Sequence, residues 1–293
     1  MADTMSSPLE QLSTAMADAV ATAAGSVVAV HTGRSRSSGF AWREGLVVTC
    51  DEALPDDADV SLCLPSGASA SAKLVGRDAG TDIALLRIEG HALSPIAFEA
   101  APVRAGSVAL AIGSLAGTPV AAAGVVSLSG PAWRSLRGGE IDARIELGLT
   151  LRRIAEGGLA VDAQGRAIGM SVFGPRRRVL VIPGATIDRV AAHLAAHGRV
   201  PRGYLGVGLQ PVKLEPEGIG AMIMAIDRDG PAANAGLHQG DVIVAWNGEP
   251  VRSVQALLRA LGPASVGTVV TLSLRRAGEP VEAKITMGER PAD

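Results

Sequence analysis

Aromatic side chains make up 2% of this 293-residue chain, and it contains two cysteines, Cys50 and Cys63. Two thiols cannot build a disulfide framework, and their spacing matches no zinc-binding pattern, so both are expected as free, buried thiols. Long apolar runs are missing: no stretch reaches the roughly 20 residues that a membrane-spanning helix requires, and no membrane insertion is expected. Positive charge is missing from the start, where Met1-Ala2-Asp3, Glu10 and Asp18 precede Arg34, the first basic residue. No secretory leader is visible in that pattern, so the expected location is cytoplasmic, or periplasmic if a leader has been removed. A field of one sign is missing as well. With 27 basic against 29 acidic residues, a net charge of -2 and a pI near 6.2, nothing favours nucleic acid or an anionic membrane.

What is present suits a folded protein with a large core. Hydrophobic residues make up 47% and charged residues 19%, which excludes a disordered chain or a coiled coil and leaves room for two domains. Leu9, Leu12, Met16 and Val20 recur at three- and four-residue steps behind Ser7-Pro8, predicting an amphipathic helix over 8–24. Short β-rich runs follow at 26–30, 38–42, 46–49, 60–64, 71–75, 83–88, 107–112 and 122–128, separated by Gly, Pro, Asp and Ser. Strands of that length and spacing predict a mainly β sandwich or barrel.

The stretch from Leu151 to Ala160 is a glycine-rich turn feeding a strand, with Asp162-Ala163-Gln164-Gly165 as a hairpin turn into Ala167–Met170. Together with Ser38-Gly39-Phe40, Gly45–Thr49, Thr81-Asp82-Ile83-Ala84-Leu85-Leu86, Leu110–Gly113, Gly124–Ser127 and Val181-Ile182-Pro183, it resembles the HtrA/Deg family of trypsin-fold serine proteases. Beyond Pro201-Arg202-Gly203, the segments Tyr204–Val207, Gly230–Leu237, Gln239–Ile243 and Asn247-Gly248 resemble the PDZ domain of that family, with a helix over 253–261. The resemblance implies a chymotrypsin/trypsin-like double β-barrel followed by a PDZ domain. It divides the chain into an N-terminal helical segment (1–21), a protease-fold domain (22–200) and the PDZ domain (201–293).

Three positions depart from the family pattern. A serine protease needs a hydroxyl activated by an imidazole that a carboxylate orients. The matched register puts Glu52 at the histidine position, Glu156 at the serine position and Ile154 where a glycine flanks the oxyanion hole; Asp82 is retained. None of the five histidines falls where it could substitute. The expectation is therefore a chain that is not an enzyme, a degenerate protease homologue without cofactor or resident metal. Convergence of Glu52, Asp82 and Glu156 leaves four readings open: an internal salt bridge, with Arg152 and Arg153 nearest in sequence; solvation in an open cleft; a divalent cation; or a two-carboxylate acid/base site.

The expected role is that of an adaptor, scaffold or complex subunit that binds protein or peptide C-termini through the PDZ domain. Tyr204, Leu205, Gly206 and Val207 would form the carboxylate loop, Leu209 would continue the strand, and Leu258 with Leu261 would line an apolar pocket. Alternatives are regulation of an active HtrA-like protease, or an enzyme of altered mechanism built on the carboxylates. Homo-oligomerisation or association with another complex is open. The run Arg176-Arg177-Arg178 reads as a solvated loop, with an acidic partner as its alternative.

Overall fold

The computed structural model describes residues 7–33, 35–55, 59–99, 102–214 and 218–291. The first six residues of the expected N-terminal segment lie outside the described residues. Contacts divide the chain into two compact units, one of residues up to 135 with 140–200, the other of 136–139 with residues from 201 onward.

In the first unit, helix α1 (Pro8–Ala24) opens on a capping box: the Glu10 N–H donates to Ser7 Oγ at 3.2 Å and the Ser7 N–H donates to Glu10 Oε2 at 2.7 Å. Met16, Ala19, Val20 and Ala23 face the core. Leu9 and Leu12, expected on the same face, are exposed, because the first turns of α1 extend past the surface that its later turns cover.

Strands β1 (Val27–His31), β2 (Arg36–Arg43), β3 (Leu46–Thr49), β4 (Val60–Cys63), β5 (Ser69–Asp78) and β6 (Ile83–Ile88) close a barrel in the order β1-β2-β3-β6-β5-β4. Side chains alternate across a strand; in β1, β3 and β6 both faces are largely buried, which explains why those runs are nearly continuously apolar, whereas β4 and β5 alternate buried with more exposed positions. Val47 and Leu86 join one cluster with Val28, Val30 and Leu62. Their neighbours Val48 and Leu85 join Phe40 and Ile83 in a second cluster, which also contains Leu110, Ile112, Leu159 and Met170 of the following barrel.

That barrel is built from β7 (Val108–Leu115), β8 (Thr118–Gly130), β11 (Arg144–Gly148), β12 (Leu159–Asp162), β13 (Ala167–Phe173) and β14 (Val179–Pro183), with the short pair β9 (Trp133–Arg134) and β10 (Glu140–Ile141) beside it in sequence. Its order is β11-β14-β13-β12-β7-β8, again closed. Helix α2 (Gly184–His197) buries Ile187, Val190, Ala191 and Leu194 and stops at Gly198, whose φ of 73° is the left-handed cap that glycine supplies.

The second unit pairs β15 (Gly203–Tyr204) with β22 (Gly288–Glu289) and orders its main sheet β16 (Val207–Lys213), β17 (Ile219–Ile226), β18 (Val242–Trp246), β20 (Val269–Arg276), β21 (Glu279–Thr286), with β19 (Glu249–Pro250) on β18. Helices α3 (Pro231–Asn234) and α4 (Val254–Ala260) complete it, around a core of Leu205, Ile223, Ile243, Leu257, Leu272 and Ile285. The mainly β architecture, a double barrel followed by a separate sheet domain, is the expected one.

Candidate functional site

Between the barrels, Arg153–Ala155 form one turn of 3-10 helix that ends at Glu156, immediately before β12. The turn closes on itself: the Ala155 N–H donates to Arg152 O at 2.8 Å and the Glu156 N–H to Arg153 O at 3.2 Å. An oxyanion hole requires amides aimed at the substrate, and the Glu156 amide is instead held inside the turn. Ser38 of β2 fastens the turn from the first barrel. Its N–H donates to Glu156 O at 2.8 Å, its hydroxyl donates to Ile154 O at 2.6 Å, and its Oγ accepts the Ser114 N–H at 2.9 Å. Gly157 follows at φ 80°, where a Cβ would lie 2.4 Å from Ser38 O, so only glycine fits. Ile154 is half-buried and does not occupy the left-handed region; its β-branched side chain is accommodated because the closed turn does not ask for a glycine conformation there.

Glu52, Asp82 and Glu156 come within electrostatic reach of one another. Asp82 sits at φ 58° just ahead of β6 and accepts the Glu52 N–H at 2.8 Å, while the Asp51 N–H donates to Asp82 O at 3.3 Å. Burial, against the opposing Glu52 amide, pushes its carboxyl up to about 7, with the charges of Glu52, Asp51 and Glu156 adding to the rise. Glu156 is buried, and that burial raises its carboxyl above the usual range; the Phe173 amide, Arg153 and Arg177 oppose the rise and Glu52 adds to it. The Cys50 thiol, buried behind them, is pushed well up, first by burial and then by Asp82 and Glu156. Glu52 itself is exposed. Asp51, its neighbour, is buried and paired with Arg77, whose Nη2 also donates to Leu54 O at 3.0 Å.

Arg153 is one of the two cations expected to compensate the cluster; the other that acts on Glu156 is Arg177, from the loop after β13, rather than Arg152. Among the described residues no group of three or more His, Cys, Asp or Glu side chains is arranged to hold a metal ion.

In the second unit, Tyr204 pairs with Gly288 and its hydroxyl bonds the Asp227 carboxylate. The Leu205 side chain is part of the core, so its place in the loop is a backbone one, with its carbonyl accepting the Ala232 N–H at 3.0 Å. Gly206 turns the chain at φ 75° into β16, an edge strand that pairs in the sheet, among the described residues, with β17 alone. Val207 and Leu209 are half-buried on it. Helix α4 packs against β16, burying Leu257 and leaving Leu258 51% exposed with Leu261 half-buried. A cavity of about 280 Å³ opens there, lined by Gly203, Gln255, Leu258 and Leu261 among others. Below the sheet, Asp241 accepts both prongs of Arg276, at 2.9 and 2.8 Å, and the His238 N–H at 2.8 Å. Arg276 holds its carboxyl below the usual range.

Comparison with known proteins matches residues 37–170 to the trypsin-like peptidase domain and residues 203–287 to the PDZ domain. A probable periplasmic serine endoprotease, DegP-like, of Bartonella henselae is 33% identical over 272 residues, covering 87% of this chain and 53% of that protein. A protein of the same description from Chlamydia trachomatis is 32% identical over 275 residues, covering 88% and 55%. The chain thus spans about half the length of the curated relatives it matches. Among solved structures, the serine endoprotease from Yersinia pestis aligns with a TM-score of 0.73 at 28% identity, over 94% of this chain and 98% of that one. The HtrA-type protease AlgW with tripeptide aligns with a TM-score of 0.69 at 27% identity, over the same shares.

Two expectations are corrected by these relatives. The reading of the chain as not an enzyme, drawn from Glu52 and Glu156, does not stand against homologues of this similarity that are named serine endoproteases. The cytoplasmic reading rests on the charge of the first residues, and it gives way to relatives named periplasmic. In its order of domains, a trypsin-like peptidase domain followed by a PDZ domain, the chain is similar to these HtrA- and DegP-type proteins.

Proposed function

We propose that this chain is a periplasmic HtrA/DegP-type endoprotease homologue that captures the C-terminal ends of other proteins through its PDZ domain. The observation that carries this reading is the open edge of β16, which begins at the Tyr204–Val207 loop and runs beside the outward-turned Leu258. An extended peptide can add to such an edge as one more strand, with loop amides receiving its terminal carboxylate. Leu258 and Leu261 give the pocket an apolar wall, and Gln255, Arg137, Arg202, Arg259 and Arg290 also line it. An apolar last residue packed against Leu258 and Leu261 contributes about 1.5 to 3 kcal/mol, whereas a cationic one would meet like charge from the arginines.

Fluorescence anisotropy on the full chain tests this with a labelled peptide ending in an apolar residue. Amidation of the C-terminus should weaken binding at least about ten-fold, since a charge-assisted hydrogen bond contributes roughly 1.5 to 3 kcal/mol. Leu258→Glu should weaken it similarly by placing a carboxylate in the pocket. Equal affinity for the free and amidated peptides would show that the groove does not read chain ends.

A further inference from the structure

Two histidines of the helix that closes the first unit stand outside both sites described so far. His193 and His197 lie one turn apart on α2, a spacing that puts their side chains on one face. Their rings turn toward each other: the two Nδ1 atoms are 3.2 Å apart, with ring centres at 5.1 Å and planes inclined by 53°. His193 is half-buried and His197 exposed, so the pair opens to solvent.

A hydrogen bond explains that approach when one Nδ1 carries a proton and the other a lone pair. His197 Nδ1 also lies 3.3 Å from His193 O, which makes it the donor in such an arrangement. The same separation fits a shared ion. Imidazole nitrogens bind zinc at about 2.0 to 2.1 Å, so two of them 3.2 Å apart subtend roughly 100 to 106° at a common metal, between the cis angle of a square-planar site and the tetrahedral angle. Histidine χ2 is a soft torsion, and its rotation brings both lone pairs onto one point. The proton on Nδ1 of His197 is then carried on Nε2 of the same ring, which stays neutral.

The helix under the pair is held firmly. Leu194 is fully buried, the Gly198 N–H donates to Leu194 O at 2.8 Å, and β5 approaches so closely that a Cβ at Gly76 would lie 2.1 Å from Gly198 O. His197 sits in the last turn, where the helix carbonyls favour a cation. Of the arginines near the pair in sequence, Arg189 gives its charge to Asp142 at 2.8 Å, and Arg199 lies beyond the Gly198 cap.

We propose that His193 and His197 form a two-histidine site for a divalent transition-metal ion, Cu2+ foremost and Zn2+ or Ni2+ more weakly, with water completing the coordination. A purely nitrogen pair suits these ions and not Mg2+ or Ca2+, which take oxygen ligands. Among the described residues no group of three His, Cys, Asp or Glu side chains is arranged to hold a metal, so two protein ligands carry the ion. It would cross-link successive turns at the end of α2, which packs on β5 and β6 of one barrel and on β13 and β14 of the other.

Titration of the untagged full chain with Cu2+ tests this, with the EPR spectrum as a second readout. One ion should bind with two equatorial nitrogens. His193→Gln and His197→Gln should each lower the affinity at least about ten-fold, and the double variant should fall little further, because either single change already removes the chelate. Zn2+ should raise the melting temperature of the unaltered chain and not that of the variants; Mg2+ should raise neither. His91→Gln, in a loop elsewhere, should bind as the unaltered chain does. Both single variants change solvent-facing rings, so without metal their melting temperatures should match the unaltered chain. Full affinity in either single variant, a one-nitrogen spectrum, or losses that add independently in the double variant would each overturn the proposal.

Discussion

Asp82 between the barrels and Asp241 in the PDZ domain are both drawn away from water, yet they are driven toward opposite charge states. Asp82 has one backbone amide and three neighbouring carboxylates, and its proton is held up to about pH 7. Asp241 is buried as well, but a two-pronged Arg276 and the His238 amide keep it ionised below the usual carboxylate range. Burial alone therefore does not decide ionisation; the partner does. The pH dependences are opposite in sign. Asp82 binds its proton more tightly folded than unfolded, so its contribution to stability declines as pH rises from its ordinary value of 3.8 to about 7. Asp241 contributes stability above the ordinary carboxylate value and loses it as pH falls through its lowered folded value.

The largest test removes the charge from the first site. Asp82→Asn keeps an oxygen for the Glu52 amide and should stabilise the protein by about 4 kcal/mol above roughly pH 7, with the gain vanishing below about pH 4, in urea unfolding at the two pH values. A gain of the same size at both would mean that Asp82 does not hold its proton. Next, Arg276→Ala should cost about 3 kcal/mol at neutral pH by stranding the buried Asp241 charge, and much less in an Asp241→Asn background, as a double-mutant cycle would show. The smallest effect sharpens the cleft alone. Ser38→Ala removes the hydroxyl bonds to Ile154 O and from the Ser114 amide and should cost about 1 to 3 kcal/mol, read from the same unfolding curves.

Much of this is legible in the sequence, because motifs fix register. The Thr81–Leu86 motif and the Leu151–Ala160 turn place Asp82 and Glu156 together, and the run lengths place the barrel strands. Partners that reach across the fold leave no such trace. Arg177 acts on Glu156 only because the loop after β13 returns to the turn, whereas sequence proximity points equally to Arg152 and Arg153. Leu205 lies in a motif whose spacing suits the groove, but its side chain completes the PDZ core. A β-branched Ile154 suggests a disturbed open backbone; what the turn adopts is a closed 3-10 form, a property of its hydrogen bonds and not of any one residue type.

The Ser38 contact also bears on the order of folding. Ser38 and Ile154 are 116 residues apart, so the bond between them is made only after the entropy of closing that long segment has been met. The turn carrying Glu156 thus depends on both barrels for its native geometry, and its full set of hydrogen bonds requires that β2 and the second barrel have come together.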